Sequence, residues 1–190
     1  DVVTEVLTGD AGLFAQAAAN TLFIDSSTID VNTSRTLSTQ AVAAGMTIVD
    51  APVSGGVPAA EAARLTFMVG GTDADFSRAR PILEAMGRSI VHVGPAGSGQ
   101  AAKICNNMVL GITTIAVAEA FRLADKLGLN AKTLYEIISR SSGDCWVLNN
   151  NHPVPGLVAT SAANHEYRPG FSSTLMLKDL RLSQAAAHGF

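Results

Sequence analysis

The sequence predicts an α/β region followed by an all-α region. Three observations carry that prediction. Short β-rich apolar runs alternate with helix-like stretches through the first half, as in a sheet covered by helices. From about Gly97 to Leu127 there is no proline and much alanine, the signature of one long helix. Of 190 residues, 47% are hydrophobic and only 15% charged, which is enough apolar side chain to fill a core and excludes a disordered chain.

The elements follow in order. Residues 21–25 form a short β-rich run that stops at Ser26, Ser27 and Thr28. Asp30 caps a helix running to about Ala44, with Gly45 as its stop. Residues 46–50 are a second apolar strand, broken by Ala51, Pro52, Val53 and the Ser54-Gly55-Gly56 turn. Residues 65–69 are a third, closed by Gly70 and Gly71. A helix from about Asp73 to Met86 leads into a strand over 90–93. Strands alternating with helices predict a mostly parallel sheet. The long helix comes next, about 45 Å long at the usual rise per residue. A further helix spans about 131–141, a looser stretch holds Pro153, Pro155, Gly156, Pro169 and Gly170, and a last helix starts near Ser173. The composition changes near Gly94 and Pro95, which places the domains at 1–95 and 96–190.

Mean hydropathy is +0.27, high enough to raise the question of a membrane. The uncharged stretch between Lys103 and Glu119 contains Asn106, Asn107, Thr113 and Thr114, so it reads as a buried core helix and not a span. Asp1 is acidic and no apolar segment follows it, so no signal peptide is read there. Asp1 also enters without a starting signal, and the last helix reaches Gly189 and Phe190 without closing a domain. The chain therefore reads as a fragment, with a cytoplasmic location as the expectation. The net charge of -3 argues against general nucleic-acid binding. Up to Arg64 there are seven acidic and two basic residues, and from Ala96 onward eight basic and six acidic. The second half is thus the better host for a small anion. Cys105 and Cys145 match neither a metal spacing nor a disulfide framework.

Lys103 and Asn107 are the sharpest chemical feature. Their i, i+4 spacing puts both on one helix face, near the start of a helix that is otherwise apolar. A cation is not favoured near a helix N-terminus, so the lysine is either solvated or held for an anionic partner. A lysine over a hydroxyl or carbonyl moves a proton and stabilises developing negative charge. Taken alone, the pair is better read as a snorkelling lysine beside a packing asparagine. Ser54, Gly55 and Gly56 end a strand where ligands of open α/β sheets bind, and close-approaching backbone N–H groups suit a carboxylate there. An ordinary tight turn explains them equally well. Ser26, Ser27 and Thr28 end the preceding strand in the same way, with a helix-entry turn as the plainer explanation. Lys178 and Asp179, adjacent opposite charges, read as a solvated face. His92, His152, His165 and His188 show no ligand spacing and read mostly as surface or strand residues. Trp146, beside Cys145, reads as core or interface. No G-x-G-x-x-G follows a strand.

Together the motifs resemble the β-hydroxyacid dehydrogenase family, and within it the 3-hydroxyisobutyrate dehydrogenases. The carrying stretches are FIDSSTID from Phe23, DAPVSGGV from Asp50, LTFMVGG from Leu65 and GSGQAAKICNN from Gly97, with SSGDCW from Ser141, HPVPG from His152 and TLMLKDL from Thr174. Several long matches in order outweigh the plainer readings above. The resemblance implies an N-terminal Rossmann domain, a connecting helix and an all-helical domain, assembled as homodimers or homotetramers. It implies oxidation of 3-hydroxyisobutyrate to methylmalonate semialdehyde in valine breakdown, with NAD as cofactor. By motif, Lys103 is the catalytic lysine, and Asn107, Ser54, Gly55 and Gly56 hold the substrate. Thr28 and Lys178 lie toward the cofactor.

Asn106 stands where the similar 6-phosphogluconate dehydrogenases have histidine, which argues against that branch. Tartronate semialdehyde and glyoxylate reductases share the lysine and the glycine turn, so another small β-hydroxyacid or semialdehyde is the first alternative. An inert helical oligomerisation fragment is the second. The chain departs from the family pattern where it carries Pro58 and Ala63 in place of glycines, Arg64 in place of a small or amide residue, and Arg181 in place of glycine. The family's dinucleotide phosphate loop has no counterpart in the sequence.

Overall fold

A computed structural model describes residues 2–168 and 170–189, so Pro169 of the looser stretch lies outside the described residues, as do the two terminal positions. The order is α1 (Val2–Thr8), α2 (Leu13–Gln16), β1 (Leu22–Asp25), α3 (Val31–Ala43), β2 (Thr47–Asp50), β3 (Val53–Ser54), α4 (Gly56–Glu61), β4 (Leu65–Gly70), α5 (Asp73–Glu84), β5 (Gly87–Gly94), α6 (Ser98–Lys126), α7 (Ala131–Ile138), α8 (Trp146–Asn150) and α9 (Ser173–His188). The chain forms two compact units. One holds the residues up to Cys105 together with those from Arg181 onward, and the other is Asn106–Leu180. Helices α6 and α9 therefore each contribute to both.

In the first unit, the helix start read from the sequence at Asp30 acts as expected. The Asp30 carboxylate accepts the Thr33 N–H and caps α3, and the Thr72 hydroxyl does the same for α5 through Asp75. The sheet, however, is mixed and not mostly parallel. β1 and β2 are parallel, as are β4 and β5, but β2 and β3 both run antiparallel to β4. β2 and β3 are one strand in two pieces: Asp50 faces Gly70, Val53 faces Phe67 and Ser54 faces Thr66, a single unbroken register. Pro52 lies at the break, and its carbonyl still accepts the Met68 N–H at 3.0 Å. Proline has no N–H to donate to the ladder, which divides the strand. The short α4 that follows does not make the dozen-residue crossover a parallel return needs, so the chain turns back antiparallel.

Both faces of this sheet are covered. Ile48 joins Leu7, Ile29, Leu37, Ala41 and Met46 under α1 and α3, while its neighbour Val49 joins Phe67, Val69, Ala79 and Leu83 under α5. Consecutive strand residues point to opposite faces, so β2 reads as a continuous apolar run.

The second unit packs Val117 and Phe121 of α6 against Val147 and Leu148, with Leu134, Tyr135 and Ile138 of α7 around them. His152 is fully buried here, not a surface residue. Its ring meets Phe121 edge to face at 4.3 Å, its Nδ1 accepts the Val154 N–H, and burial pushes the imidazole below its usual range. Helix α6 has the expected extent, but it is not a buried core helix among the described residues. Met108, Val109, Ile112, Ile115 and Leu123 are exposed, because α7 and α8 cover only its Val117 and Phe121 side. By length and composition alone, α6 is long and apolar enough to cross a membrane. Trp146 is exposed as well, so within the chain it is not core.

Candidate functional site

In the first unit the start of α6 is tied to the sheet by buried polar groups. Asp50, the last residue of β2, accepts the Gly97 N–H at 2.8 Å on Oδ1 and the Gln100 N–H at 2.9 Å on Oδ2. A side chain from another strand thus satisfies N–H groups that the first turn of a helix leaves unpaired. Burial pushes the Asp50 carboxyl above the usual carboxylate range, opposed by the backbone N–H bonds it accepts. The approach is close because Gly99 has no side chain: a Cβ there would come within 2.7 Å of the Asp50 carbonyl and 2.8 Å of its carboxylate.

Gln100, fully buried, reaches the other way. Its Nε2 donates to the Ser27 carbonyl at 2.8 Å, and its Oε1 accepts the Ile29 N–H at 3.1 Å. Both bonds flank Thr28, so the segment after β1 is bound to the helix turn that precedes Lys103. Ser26 and Ser27 are exposed beyond the end of β1, and the Ser27 N–H donates to Asp25 Oδ1 at 2.9 Å. Lys103 is only 9% exposed. Ser54, Gly55 and Gly56 follow the Pro52 break, with both glycines exposed and at positive φ of 132° and 65°. A Cβ on Gly56 would meet no atom closer than 3.8 Å, so its backbone conformation, and not its packing, requires glycine. The glycine-replacing Ala63 likewise adopts φ of 52°, where alanine is strained.

In the second unit Asn107 is 1% exposed. Its Oδ1 accepts from Asn106 Nδ2 at 3.0 Å, and its Nδ2 donates to Asp179 Oδ2. Asp179 is 2% exposed, and its Oδ1 lies 3.0 Å from Lys178 Nζ. The expectation of a solvated Lys178 and Asp179 face is therefore corrected. Lys178 is half-exposed, but Asp179 turns inward to the asparagine of the lysine motif. An amide has two donor hydrogens and two acceptor lone pairs, so Asn107 keeps capacity for a ligand.

Thus the structure ties the Thr28 segment to the helix turn before Lys103, and joins Asn107 to Lys178 through Asp179. Lys103 and Asn107 stand one turn apart on α6. Sequence reasoning missed Asp50, Gln100 and Asp179. The one usable signal was a glutamine three residues before the lysine, on the same side of an apolar helix.

A mixed sheet covered on both faces, followed by a helical region, is consistent with a Rossmann-like domain with a helical second part. The family described as the NAD binding domain of 6-phosphogluconate dehydrogenase matches residues 1–94. That described as NAD-binding of NADP-dependent 3-hydroxyisobutyrate dehydrogenase matches residues 97–190. The chain is 49% identical to the 3-hydroxyisobutyrate dehydrogenase of Pseudomonas aeruginosa over 97% of its own length and 62% of the relative's. It is 50% identical to the mitochondrial 3-hydroxyisobutyrate dehydrogenase of Drosophila melanogaster over 89% of its length and 52% of that relative's. The solved 3-hydroxyisobutyrate dehydrogenase of Mycobacterium tuberculosis with L-serine superposes with a TM-score of 0.93 at 52% identity, covering 99% of this chain and 64% of that one. The chain belongs to the 3-hydroxyisobutyrate dehydrogenase family and spans between about half and two thirds of the length of these relatives.

Proposed function

We propose that this chain is part of an enzyme that oxidises 3-hydroxyisobutyrate to methylmalonate semialdehyde with NAD, a step of valine catabolism. The observation that carries the reading is Lys103, buried at the head of α6 one turn beyond the residue that holds the Thr28 segment. Residues 1–95 form the C-terminal part of a Rossmann-type domain and 96–190 an incomplete helical domain. The two family matches and the share of the relatives covered support that division.

The residues present fit the nicotinamide half of a dinucleotide. The parallel pair β1 and β2 ends at Asp25 and Asp50, and the hydroxyls after β1 suit the amide and ribose groups of a nicotinamide half. Thr28 and Lys178 are the residues assigned to it. Bound NAD supplies the hydride acceptor. Ser54, Gly55 and Gly56 hold the substrate carboxylate through the turn, and Asn107 hydrogen-bonds the substrate beside Lys103. The Lys103 amine takes the hydroxyl proton as the alcohol carbon loses its hydride, and returns it in the reverse direction. Its charged form then stabilises the anionic substrate. The enzyme is cytoplasmic and a homodimer or homotetramer, in keeping with the exposed apolar face of α6.

A second reading, another small β-hydroxyacid as substrate, is favoured by the L-serine that accompanies the M. tuberculosis enzyme in its solved structure, since serine is itself a 3-hydroxy acid. The test is NADH formation by the whole enzyme with NAD and 3-hydroxyisobutyrate, with L-serine in parallel and Lys103→Ala as control. Lysine-dependent turnover of 3-hydroxyisobutyrate supports the first reading. Faster turnover of serine replaces it with the second, and turnover indifferent to Lys103→Ala removes the lysine's role.

A further inference from the structure

The side chain of Gln100 makes two bonds of opposite sense to the backbone on either side of one residue. Nε2 donates to the Ser27 carbonyl and Oε1 accepts from the Ile29 N–H, at 2.8 Å and 3.1 Å. A primary amide does both, whereas a carboxylate only accepts and an ammonium only donates. The partners lie 73 and 71 residues away in sequence, so this is a tertiary clamp and not a local turn. Its base is fixed independently, because the Gln100 N–H itself donates to Asp50 Oδ2. The Gln100 side chain and its bond to Ile29 are buried, where an unmade bond leaves a polar group without water to replace it. Between the two clamped groups sits Thr28, and one turn further along α6 sits Lys103.

We infer that Gln100 is a positioning residue that clamps the Thr28 segment to the lysine-bearing helix and thereby sets the affinity for the dinucleotide. The inference rests on the function proposed above, in which Thr28 faces the cofactor. Gln100 itself touches neither cofactor nor substrate. It acts by removing freedom from a segment that would otherwise be ordered at the expense of binding.

The test is Gln100→Met, which keeps the length of the side chain but loses both the donor to the Ser27 carbonyl and the acceptor for the Ile29 N–H. Amide hydrogen exchange without NAD reports on the clamp, and NAD titration of the whole enzyme, phosphate loop included, reports on its consequence. The expected results are exchange of the Ile29 N–H at least tenfold faster and NAD binding at least tenfold weaker. KM for 3-hydroxyisobutyrate at saturating NAD should move by less than threefold. A merely structural role would lower stability without separating the two affinities. Unchanged Ile29 exchange overturns the inference, and so does a loosened segment with unaltered NAD affinity.

Should Gln100→Met fail to fold, the wild-type protein gives the answer. Its two Gln100 side-chain amide protons are expected to exchange slowly and to shift on NAD addition, and the opposite result overturns the clamp. NAD binding without hydroxyacid oxidation would sink the proposed function while leaving the clamp standing. Normal oxidation with an indifferent Gln100→Met would do the reverse.

Discussion

The head and the middle of the long helix obey opposite burial rules. At its head, Gln100, Lys103 and Asn107 are buried although polar. In its middle, Met108, Val109, Ile112 and Ile115 are exposed although apolar. The usual distribution, apolar inside and charged outside, is inverted at both places. At the head the inversion is sustained by hydrogen bonds to partners far away in sequence, without which each buried polar group would be costly. In the middle, packing reaches only one side, around Val117 and Phe121. The lesson is that the head of α6 is held by tertiary hydrogen bonds and the buried side of its middle by apolar packing.

Lys103→Ala should separate the two most sharply. Turnover is expected to fall a thousandfold or more, within the range for losing a positioned proton-transfer group, while circular dichroism and melting stay close to wild type. A comparable loss of fold would erase the distinction. Phe121→Ala is the converse experiment. Phe121 is 4% exposed, and truncating a buried phenylalanine costs about 3–5 kcal/mol. The urea midpoint should drop accordingly, with kcat per folded molecule little changed.

Asp50→Asn tests what holds the head in place. It should destabilise by about 1–3 kcal/mol, as expected when bonds to buried backbone donors are weakened. Its pH dependence has a definite sign. Burial raises the folded carboxyl above its unfolded value of 3.8, so the folded state keeps the proton longer. That contribution is complete below the unfolded value and is lost as pH rises through the folded one. The melting-temperature advantage of wild type over Asp50→Asn should therefore shrink as pH rises from about 4. An advantage that grows would reverse the assignment of the shift to burial. The smallest effect lies outside the helix. Ala63→Gly relieves a left-handed alanine, offset by greater freedom in the unfolded chain, for a net gain of up to about 1 kcal/mol in thermal unfolding.

Much of this was legible from local signals. Asp30 and Thr72 stand where caps belong, and β4 and α5 begin where the apolar runs and the cap place them. The lysine motif, the glycine turn and the segment after β1 were all recognisable as short strings, and they carried the family. The direction of β2 and β3 against β4 was not legible, because a strand's sequence looks the same whichever way its partner runs. Nor was the inward turn of Asp179 beside an outward Lys178, since adjacent charges carry no sign of which one meets Asn107, 72 residues earlier.

By itself, then, the sequence determined the family, the order of most elements and the placing of Lys103 and Asn107 one turn apart on a single helix. These follow from propensity, caps and the helical repeat, which act over a few residues. Only the tertiary structure decided that the sheet is mixed, that Asp50 holds the helix start, that Gln100 clamps the Thr28 segment and that Asp179 is buried. Each of these depends on a hydrogen bond or a strand pairing between distant parts of the chain. Whether a polar side chain is satisfied or stranded is settled by what the fold brings to meet it.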